Sequence, residues 1–306
     1  MKMSENNIEE DFPIRERQKG DRWDGYRLKK IPAFNNLMPY LMKKREGSYV
    51  EIKQTFDVTN LIKFLDEQNE KLKDQDGPIK KYTYFNLLMT IVVRTLALKP
   101  RLNRFIAHYR YYQRHKIVLS YVAKKAFTID APETTVISEF ERYYNLDDVT
   151  HELTKGIGEA KEELDDTGDF VEKLFNLPWP IIKFFIAILD FFTFIGFYPK
   201  MLRDIDPMQT SAMVANLGSI GLENVPYHHL YNRGTSSLVI VFGKIHKELF
   251  NTSNGFEERD VMQLSLTIDE RISEGFYYAS ALKVIEDLID NPEQLLERIK
   301  DFPIDE

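Results

Sequence analysis

Cysteine is absent from this 306-residue sequence, which excludes disulfide bonds, zinc sites with cysteine ligands and a catalytic thiol. The sequence also contains no glycine-rich phosphate loop and no internal repeat. The amino terminus has no apolar signal segment, so we expect a cytoplasmic location and not secretion. The remaining composition, 43% hydrophobic and 29% charged residues, is typical of a soluble globular domain.

The chain also lacks a strong excess of either sign of charge. The sequence has 48 acidic and 41 basic residues, a formal net charge of -7, which disfavours nucleic acid as a partner. An anionic substrate therefore requires a local cluster of bases. One basic and aromatic stretch, residues 104–116, is predicted to form a hairpin, and phosphates of a ligand are a better use for its bases than nucleic acid.

Residues 1–22 are charged and poor in apolar residues, which predicts a mobile arm. Apolar periodicity after this arm predicts one domain over residues 23–306. Helices are predicted at 34–42, 61–72, 84–98, 147–165 and 274–289. Strands are predicted at 48–56, 105–107, 116–123, 134–140, 211–216, 236–242 and 261–268. Because strands and helices do not alternate strictly, the pattern indicates an α+β fold with a mixed β-sheet flanked by helices.

The most apolar segment of the chain lies at about residues 177–199. Pro180 suits a helix start, and Gly196 with Pro199 suits its end. The intervening helix of about sixteen residues is shorter than the roughly 20 needed to span a bilayer. Burial or a subunit interface is the favoured interpretation, followed by the wall of a hydrophobic substrate pocket. Contact with a membrane surface is possible but least favoured.

Two strand ends carry the most informative motifs. One strand ends in Asp269-Glu270-Arg271, and Glu274-Gly275 then begins a helix. An earlier strand ends in Ala215-Asn216-Leu217-Gly218-Ser219-Ile220-Gly221. Together with residues 57–59 and 99–103, which occur in the expected order, these motifs resemble the catalytic core of the 2-oxoacid dehydrogenase acyltransferases and the related chloramphenicol acetyltransferases. The resemblance extends over about residues 25–300.

The resemblance implies a chloramphenicol acetyltransferase-like fold, a homotrimer with its site between subunits, and transfer of an acyl group from a CoA-type thioester to a small hydroxyl, amine or thiol acceptor. It implies no bound cofactor. It places substrate contacts at Asn216, Gly218, Ser219 and Arg271. The family's full-length form also has lipoyl and subunit-binding domains, and we expect this chain to lack both.

The sequence departs from the family at the residues that carry the chemistry. The family's catalytic histidine position is Glu270, its hydroxyl position is Ala215, and its aspartate position is Glu274. A glutamate with an ordinary pKa of about 4.3 is a poor acceptor of a proton from a thiol with a pKa of about 8.5. Loss of one oxyanion donor typically lowers the rate by about 10²–10³-fold.

Three hypotheses follow from these departures. The first is an enzyme with a rebuilt site, in which Glu270 acts as the base with help from His228 or His229. The second is a catalytically inactive relative that binds a ligand or assembles, and the third is a scaffold at a membrane surface. Against the first, carboxylates near a helix start are favourable whatever the function. We predict no metal site, since adjacent histidines in an extended stretch point apart.

Overall fold

A seven-stranded sheet lies at the centre of the computed structural model, which describes residues 18–74, 76–124, 133–159, 176–199, 206–252 and 255–300. The strands of the protein are β1 (Gly25–Arg27), β2 (Tyr49–Asp57), β3 (Arg104–Ala107), β4 (Arg110–Arg114), β5 (Ile117–Lys124), β6 (Glu133–Phe140), β7 (Ala212–Asn216), β8 (Leu238–Phe242), β9 (His246–Thr252) and β10 (Gly255–Asp269). The order in the main sheet is β2-β10-β8-β7-β5-β6, and β9 pairs with β10. Since β7 is parallel to β5 and β8 while the other pairs are antiparallel, the sheet is mixed, as predicted.

The helices gather mainly on one face of this sheet. They are α1 (Ala33–Leu41), α2 (Thr59–Lys73), α3 (Tyr84–Leu98), α4 (146–159), α5 (Trp179–Phe194) and α6 (Gly275–Asp290). The central helix is α3, in which twelve consecutive residues are buried. Thr83 begins it with a reciprocal capping box, because its hydroxyl accepts the backbone N–H of Asn86. Residues 160–165 of the predicted fourth helix lie outside the described residues.

Alternation along β7 assigns its side chains to two different environments. Ala212 and Val214 point into the large core that α2, α3 and α6 share with the sheet. Met213 and Ala215 point to the opposite face and pack against a small apolar cluster of Val225, Leu230, Val239 and Val241. Since two of these cluster residues come from the loop between β7 and β8, that loop, and not a helix, covers the second face of the sheet at this point.

A small sheet of order β1-β4-β3 is tied to the main sheet by buried charges. Arg22 and Asp24 form a buried ion pair with 2.8 Å between Nε and Oδ1. Arg114, 2% exposed, donates to the carbonyl oxygens of Gln209 and Thr235, and burial lowers its pKa to about 10. Residues 1–17 of the predicted arm lie outside the described residues, whereas Arg22, within its predicted end, belongs to this buried cluster.

Helix α5 forms where the apolar segment predicts a helix, but it lies on the surface. Only Leu189 among its residues is buried, while Trp179 is 73% and Phe184 69% exposed. Asp190 of this helix forms an ion pair with Arg233 of the loop between β7 and β8, with 3.4 Å between Oδ1 and Nε. Most side chains of α5 are therefore not buried within the chain, contrary to that part of the prediction, and a subunit interface stays a prediction. Among the described residues, no helix combines the length and hydropathy needed to cross a bilayer.

Buried tyrosines predict a loss of stability in alkaline solution. Burial is the largest cause of a raised pKa in Tyr82, Tyr84, Tyr111, Tyr121, Tyr144, Tyr198 and Tyr278. Three of these, Tyr111, Tyr121 and Tyr144, reach a pKa of about 12. The unfolded chain thus releases tyrosine protons above pH of about 10, before the folded chain does, so the free energy of unfolding should fall as pH rises from there toward 12.

Urea denaturation at a series of pH values above 8.5 measures this loss, and absorbance of tyrosinate near 295 nm follows the ionisation itself. Buried Arg45 and Arg114 act in the opposite direction, because their pKa values are lowered to about 10, but the tyrosines outnumber them. A folded protein whose tyrosinate absorbance rises along the same curve as the urea-unfolded protein would contradict the prediction.

Candidate functional site

The turn after β10 is fixed by a buried ion pair. Asp269, 0% exposed, accepts hydrogen bonds at Oδ1 from the backbone N–H of Arg271 at 3.1 Å and from its Nε at 2.8 Å. Nη2 of Arg271 donates to Oδ2 at 2.7 Å, and its Nη1 donates to the carbonyl of Met42 at 2.9 Å. The backbone N–H of Glu270 donates to the carbonyl of Ser48. Arg271 was predicted as a substrate contact, but this buried guanidinium is engaged by the protein and positions the turn.

The two glutamates of the motif remain exposed at this turn. Glu270 follows the last residue of β10, and Glu274 immediately precedes α6 without capping it through its side chain. The nearest ion-pair partner of Glu274 is Arg101, whose Nη1 lies 3.9 Å from its carboxylate. Both carboxylates are therefore placed where a substrate or a neighbouring molecule can contact them.

The second motif forms the end of β7 and a 3-10 turn. Ala215 is half-buried and contributes no hydrogen-bonding group to the second face of the sheet. Ser219 donates its hydroxyl to the carbonyl of Asn216 at 2.7 Å, which closes the turn. Gly218 is required here for packing, since a Cβ at this position would lie 2.5 Å from the carbonyl oxygen of Gly243. This strand end is therefore built by local packing around its predicted substrate residues.

Strand register places the two motifs at opposite ends of the sheet. Ala215 pairs with Val241, and Val241 pairs with Ser265 on β10. Asp269 lies four residues farther along β10, which is roughly 13 Å at about 3.3 Å per residue, and β8 lies between the two strands. The positions of the family's hydroxyl and histidine therefore cannot meet within one copy of this chain.

The predicted histidines lie on the loop that covers the second face. The ring of Tyr227 lies under Nζ of Lys53, 4.9 Å from the ring centre, and Oδ1 of Asn232 accepts the backbone N–H of Glu46. The loop thus runs from the Ala215 end of the sheet toward the Glu270 end. The rings of His228 and His229 stack at 4.8 Å, and neither histidine contacts Glu270 among the hydrogen bonds of the described residues.

The two histidines differ in their hydrogen bonding. Nδ1 of His228 lies 2.9 Å from the carbonyl oxygen of His229. A carbonyl only accepts, so this contact requires a proton on Nδ1, and in the neutral ring it leaves the Nε2 lone pair available. This contact therefore fixes the tautomer of the neutral His228 ring.

A cavity of about 320 Å³ opens beside the turn of the first motif. Lys30, Arg101 and Arg104 contribute three basic groups to its lining, and Glu274 contributes one acidic group. Its volume is at the small end of the range for ligand sites. Among the described residues, no group of three or more His, Asp or Glu side chains is arranged to hold a metal ion.

The three bases of this cavity were not among the predicted site residues. Lys30 and Arg101 are far apart in sequence, so no local pattern joins them. Arg101 does lie within the 99–103 motif, and Arg104 begins the basic and aromatic stretch, which were the only available signals.

Comparison with known proteins supports the resemblance seen in the motifs. Residues 201–297 match the family model for the 2-oxoacid dehydrogenases acyltransferase (catalytic domain). Three solved structures share the fold over most of the chain. A probable dihydrolipoamide acetyltransferase from Listeria monocytogenes matches with a TM-score of 0.53 and 17% identity, over 86% of this chain and 95% of that chain. The dihydrolipoamide acetyltransferase of Azotobacter vinelandii matches with a TM-score of 0.55 and 15% identity, over 88% of this chain and 94% of that chain. A truncated catalytic core of the 2-oxoacid dehydrogenase multienzyme complex from Thermoplasma acidophilum matches with a TM-score of 0.53 and 16% identity, over 87% of this chain and 98% of that chain.

At these identities the structural similarities establish the fold alone. They confirm the predicted α+β, chloramphenicol acetyltransferase-like fold, and the family model confirms the resemblance over the segment that contains both motifs. No curated protein is similar in sequence to this chain.

Proposed function

Because residues 201–297 match an acyltransferase catalytic domain, we propose that this protein transfers an acyl group from a CoA-type thioester to a small acceptor at a site formed between two copies of the chain. The observation that carries this proposal is the strand register. Since Ala215 and Glu270 lie at opposite ends of the sheet, one complete site requires the β7 end of one copy and the β10 turn of another. A cyclic homotrimer satisfies this requirement with three equivalent sites.

We propose His228 as the general base of this site. Its Nε2 accepts the proton of the attacking hydroxyl, amine or thiol while the acceptor atom bonds to the thioester carbonyl carbon. The tetrahedral intermediate then collapses, the carbon–sulfur bond breaks, and the departing thiolate takes the proton back from the imidazolium. Glu270 supplies the carboxylate that stabilises this imidazolium, so neither group needs the unfavourable transfer from a thiol directly to a glutamate.

The rebuilt site lacks a side-chain donor for the oxyanion at Ala215. Ala215 offers no donor, and its neighbours Val225, Val239 and Val241 are apolar. The Azotobacter vinelandii relative is described in terms of a serine, a histidine and an asparagine in its catalytic mechanism. This chain keeps none of these residue types at Ala215, Glu270 and Glu274, so we expect slow turnover.

The same feature favours a second candidate function, that of a catalytically inactive relative that binds a ligand or assembles. Ala215 in its apolar cluster has no means of stabilising negative charge, whatever the position of His228. The two functions differ in whether thiol release from an acyl-CoA depends on the site residues.

Release of free thiol from acetyl-CoA, followed with a panel of hydroxyl, amine and thiol acceptors, tests the proposal. Glu270→Gln and His228→Gln are each expected to lower kcat/KM by about 10²-fold, as is typical for loss of general acid–base catalysis. His229→Gln is the matched control and should leave kcat/KM within about threefold, since the hydrogen bond that orients a ring of this pair belongs to His228.

Co-expression of two impaired variants tests the division of the site between copies. His228→Gln and Glu270→Gln, each slow alone, should together form oligomers with more activity than either, because some sites receive both intact residues. Turnover that is unchanged by every substitution, in a protein that still assembles, would overturn catalysis at this site and support the inactive relative.

A further inference from the structure

We propose that an exposed apolar surface on α1 and α5 binds the headgroup region of a lipid bilayer that contains anionic lipids. This α1–α5 surface is formed by Phe34, Leu37 and Leu41 from α1 and by Trp179, Phe184 and Phe191 from α5. Each of these six side chains is between 48% and 73% exposed. Single exposed apolar side chains are ordinary, but a group of large ones on neighbouring helices marks an interaction site.

Helical spacing directs these side chains to one face of each helix. Phe184 and Phe191 lie seven residues apart, and the exposed Ala187 lies between them on the same face of α5. In α1, Phe34 and Leu41 are also seven residues apart, with Leu37 between them. Both helices therefore turn a continuous apolar face away from the core of the protein.

The two helices meet at the turn between β3 and β4. The ring of His108 contacts Phe194 of α5 edge-on, with 4.2 Å between the ring centres. The next residue, Tyr109, stacks on Tyr40 of α1 at 4.8 Å. Since consecutive residues of one turn contact both helices, the two apolar faces are neighbouring parts of one surface.

Buried contacts fix the end of α5 to the rest of the fold. The carbonyl oxygen of Thr193 accepts a hydrogen bond from Nη1 of Arg22 at 2.7 Å. Arg22 is itself held in the buried ion pair with Asp24. The exposed face of α5 is thus presented by a rigid support, so a partner can bind it without first ordering the helix.

Basic residues surround the α1 part of this surface. Residues 25–45 include six basic residues and no acidic one, although the whole protein has a net charge of -7. Lys29 and Lys30 precede α1, Lys43 and Lys44 follow it, and all four are exposed. Glu46 offsets this charge only in part, because its contact of 3.5 Å with Lys44 joins two exposed side chains.

This distribution of charge identifies the occupant as an anionic membrane surface. An apolar face bordered by lysines is typical of helices that lie in the interface of a bilayer, where lysines approach the lipid phosphates and carboxylates. In a symmetric contact between two copies of the surface, the same lysines would approach one another, which disfavours a second copy. Composition alone favours burial of α5, and its exposed position beside these lysines reverses that order.

Trp179 suits the same location. It lies at the start of α5 and is 73% exposed. Tryptophan is favoured at the boundary between headgroups and acyl chains because its ring is apolar and its N–H is polar. We therefore expect α5 to lie in the plane of this boundary, with its apolar face toward the acyl chains.

Flotation of the intact protein with vesicles of equal parts phosphatidylcholine and phosphatidylserine tests the charge. Binding should exceed that to vesicles of phosphatidylcholine alone and should fall with added salt. Lys43→Gln/Lys44→Gln is expected to lower the partition coefficient by about 30-fold, since each lysine near an anionic surface contributes a factor of about 5. Lys63→Gln/Lys71→Gln is the matched control, because it removes two exposed lysines of α2, and it should change the coefficient by less than about twofold.

Two substitutions in α5 test the apolar contribution in the same assay. Phe184→Ser and Phe191→Ser are each expected to lower the partition coefficient by about 10-fold, a usual value for transfer of a phenylalanine side chain out of water. Phe256→Ser is the matched control, because Phe256 is 76% exposed on the β9–β10 hairpin. All three side chains are exposed, so the thermal midpoint Tm should be unchanged in each variant.

Tryptophan fluorescence locates α5 in the bound state. The chain has only two tryptophans, Trp23 and Trp179, so Trp23→Phe leaves Trp179 as the single reporter. Its emission should shift to shorter wavelength when anionic vesicles are added, and brominated lipids should quench it. Both changes require Trp179 to enter the lipid, which electrostatic adsorption of another face would not produce.

Equal binding to anionic and neutral vesicles, or equal losses in the variants and their controls, would overturn the inference. An emission shift of Trp179 that depends on protein concentration and needs no vesicles would also overturn it, because a second copy would then cover the surface. These measurements involve neither CoA nor an acceptor. Loss of the proposed acyl transfer would therefore leave them unchanged.

Discussion

Replacing Asp269 by asparagine is expected to lower the free energy of unfolding by about 3–5 kcal/mol, the usual cost of removing one partner from a buried ion pair. Asp269 is fully buried and accepts three hydrogen bonds from Arg271, which is itself 4% exposed. Asparagine keeps the size of the side chain but removes the charge. The guanidinium of Arg271 would then remain buried without a counterion.

A second buried guanidinium makes this loss larger. Burial lowers the pKa of Arg45 to about 10, and the nearby charge of Asp269 is the main influence that opposes this shift. Arg45 donates to the carbonyls of Ser236 and Ile106 and so links the start of β2 to β8 and β3. Neutralising Asp269 therefore removes the counterion of Arg271 and, at the same time, the stronger of the two acidic influences on Arg45, the other being Asp24.

Urea denaturation of the variant and the wild type measures this change. Glu70→Gln is the matched control, because Glu70 pairs with Lys73 at 2.6 Å on an exposed face of α2. Exposed pairs of this kind contribute at most about 1 kcal/mol. A loss of less than about 1 kcal/mol for Asp269→Asn as well would show that the carbonyl acceptors alone are enough to hold these arginines, contrary to the expectation.

The sequence predicts elements well where local pattern and tertiary packing demand the same structure. Helix α3 begins and ends at the predicted residues, Tyr84 and Leu98, because its apolar run is buried on all sides and has a capping residue before it. Strand β9 was not predicted. Its sequence, HKELFNT, contains few residues with high strand propensity, and it is a strand because residues 255–261 of β10 pair with it.

In the candidate site, too, local sequence predicts the turn and the helix start, whereas tertiary packing decides which side chains pair. The motif at residues 269–275 indicates a turn and a helix start from local sequence, and the structure contains both. The pairing of Arg271 with Asp269, and not with either glutamate, depends on which side chains are buried, which local sequence does not specify. The cavity depends on tertiary placement alone, since the segment before α1, the start of β3 with the turn before it, and the turn before α6 supply its bases and its hydroxyl.

Helix α5 shows why composition predicts the helix but not its surroundings. An apolar helix lowers its free energy by removing its side chains from water, and this is normally evidence of burial. Here the described residues bury only Leu189, so the sequence pattern was a correct prediction of secondary structure and a wrong one of packing. An interface between copies, a substrate wall and a membrane contact stay predictions for this surface.

The missing oxyanion donor leads to the second large prediction, a gain of activity. Ala215→Thr restores a hydroxyl at the family's position, and if Ala215 lies in the shared site, kcat should rise by about 10²–10³-fold, the usual value of one such donor. Ala215→Val is the matched control, because valine has nearly the shape of threonine but no hydroxyl. The half-buried β-strand position accepts either branched side chain.

Equal rates of thiol release from acetyl-CoA in the threonine and valine variants would place Ala215 outside the site. A rise in the threonine variant alone would locate the oxyanion at the end of β7. Glu270→His, combined with Ala215→Thr, then tests the base, because histidine has an ordinary pKa of about 6.5 and accepts a proton directly. In that background His228→Gln should no longer lower the rate, since the base would again come from the β10 turn, on the copy opposite the new hydroxyl.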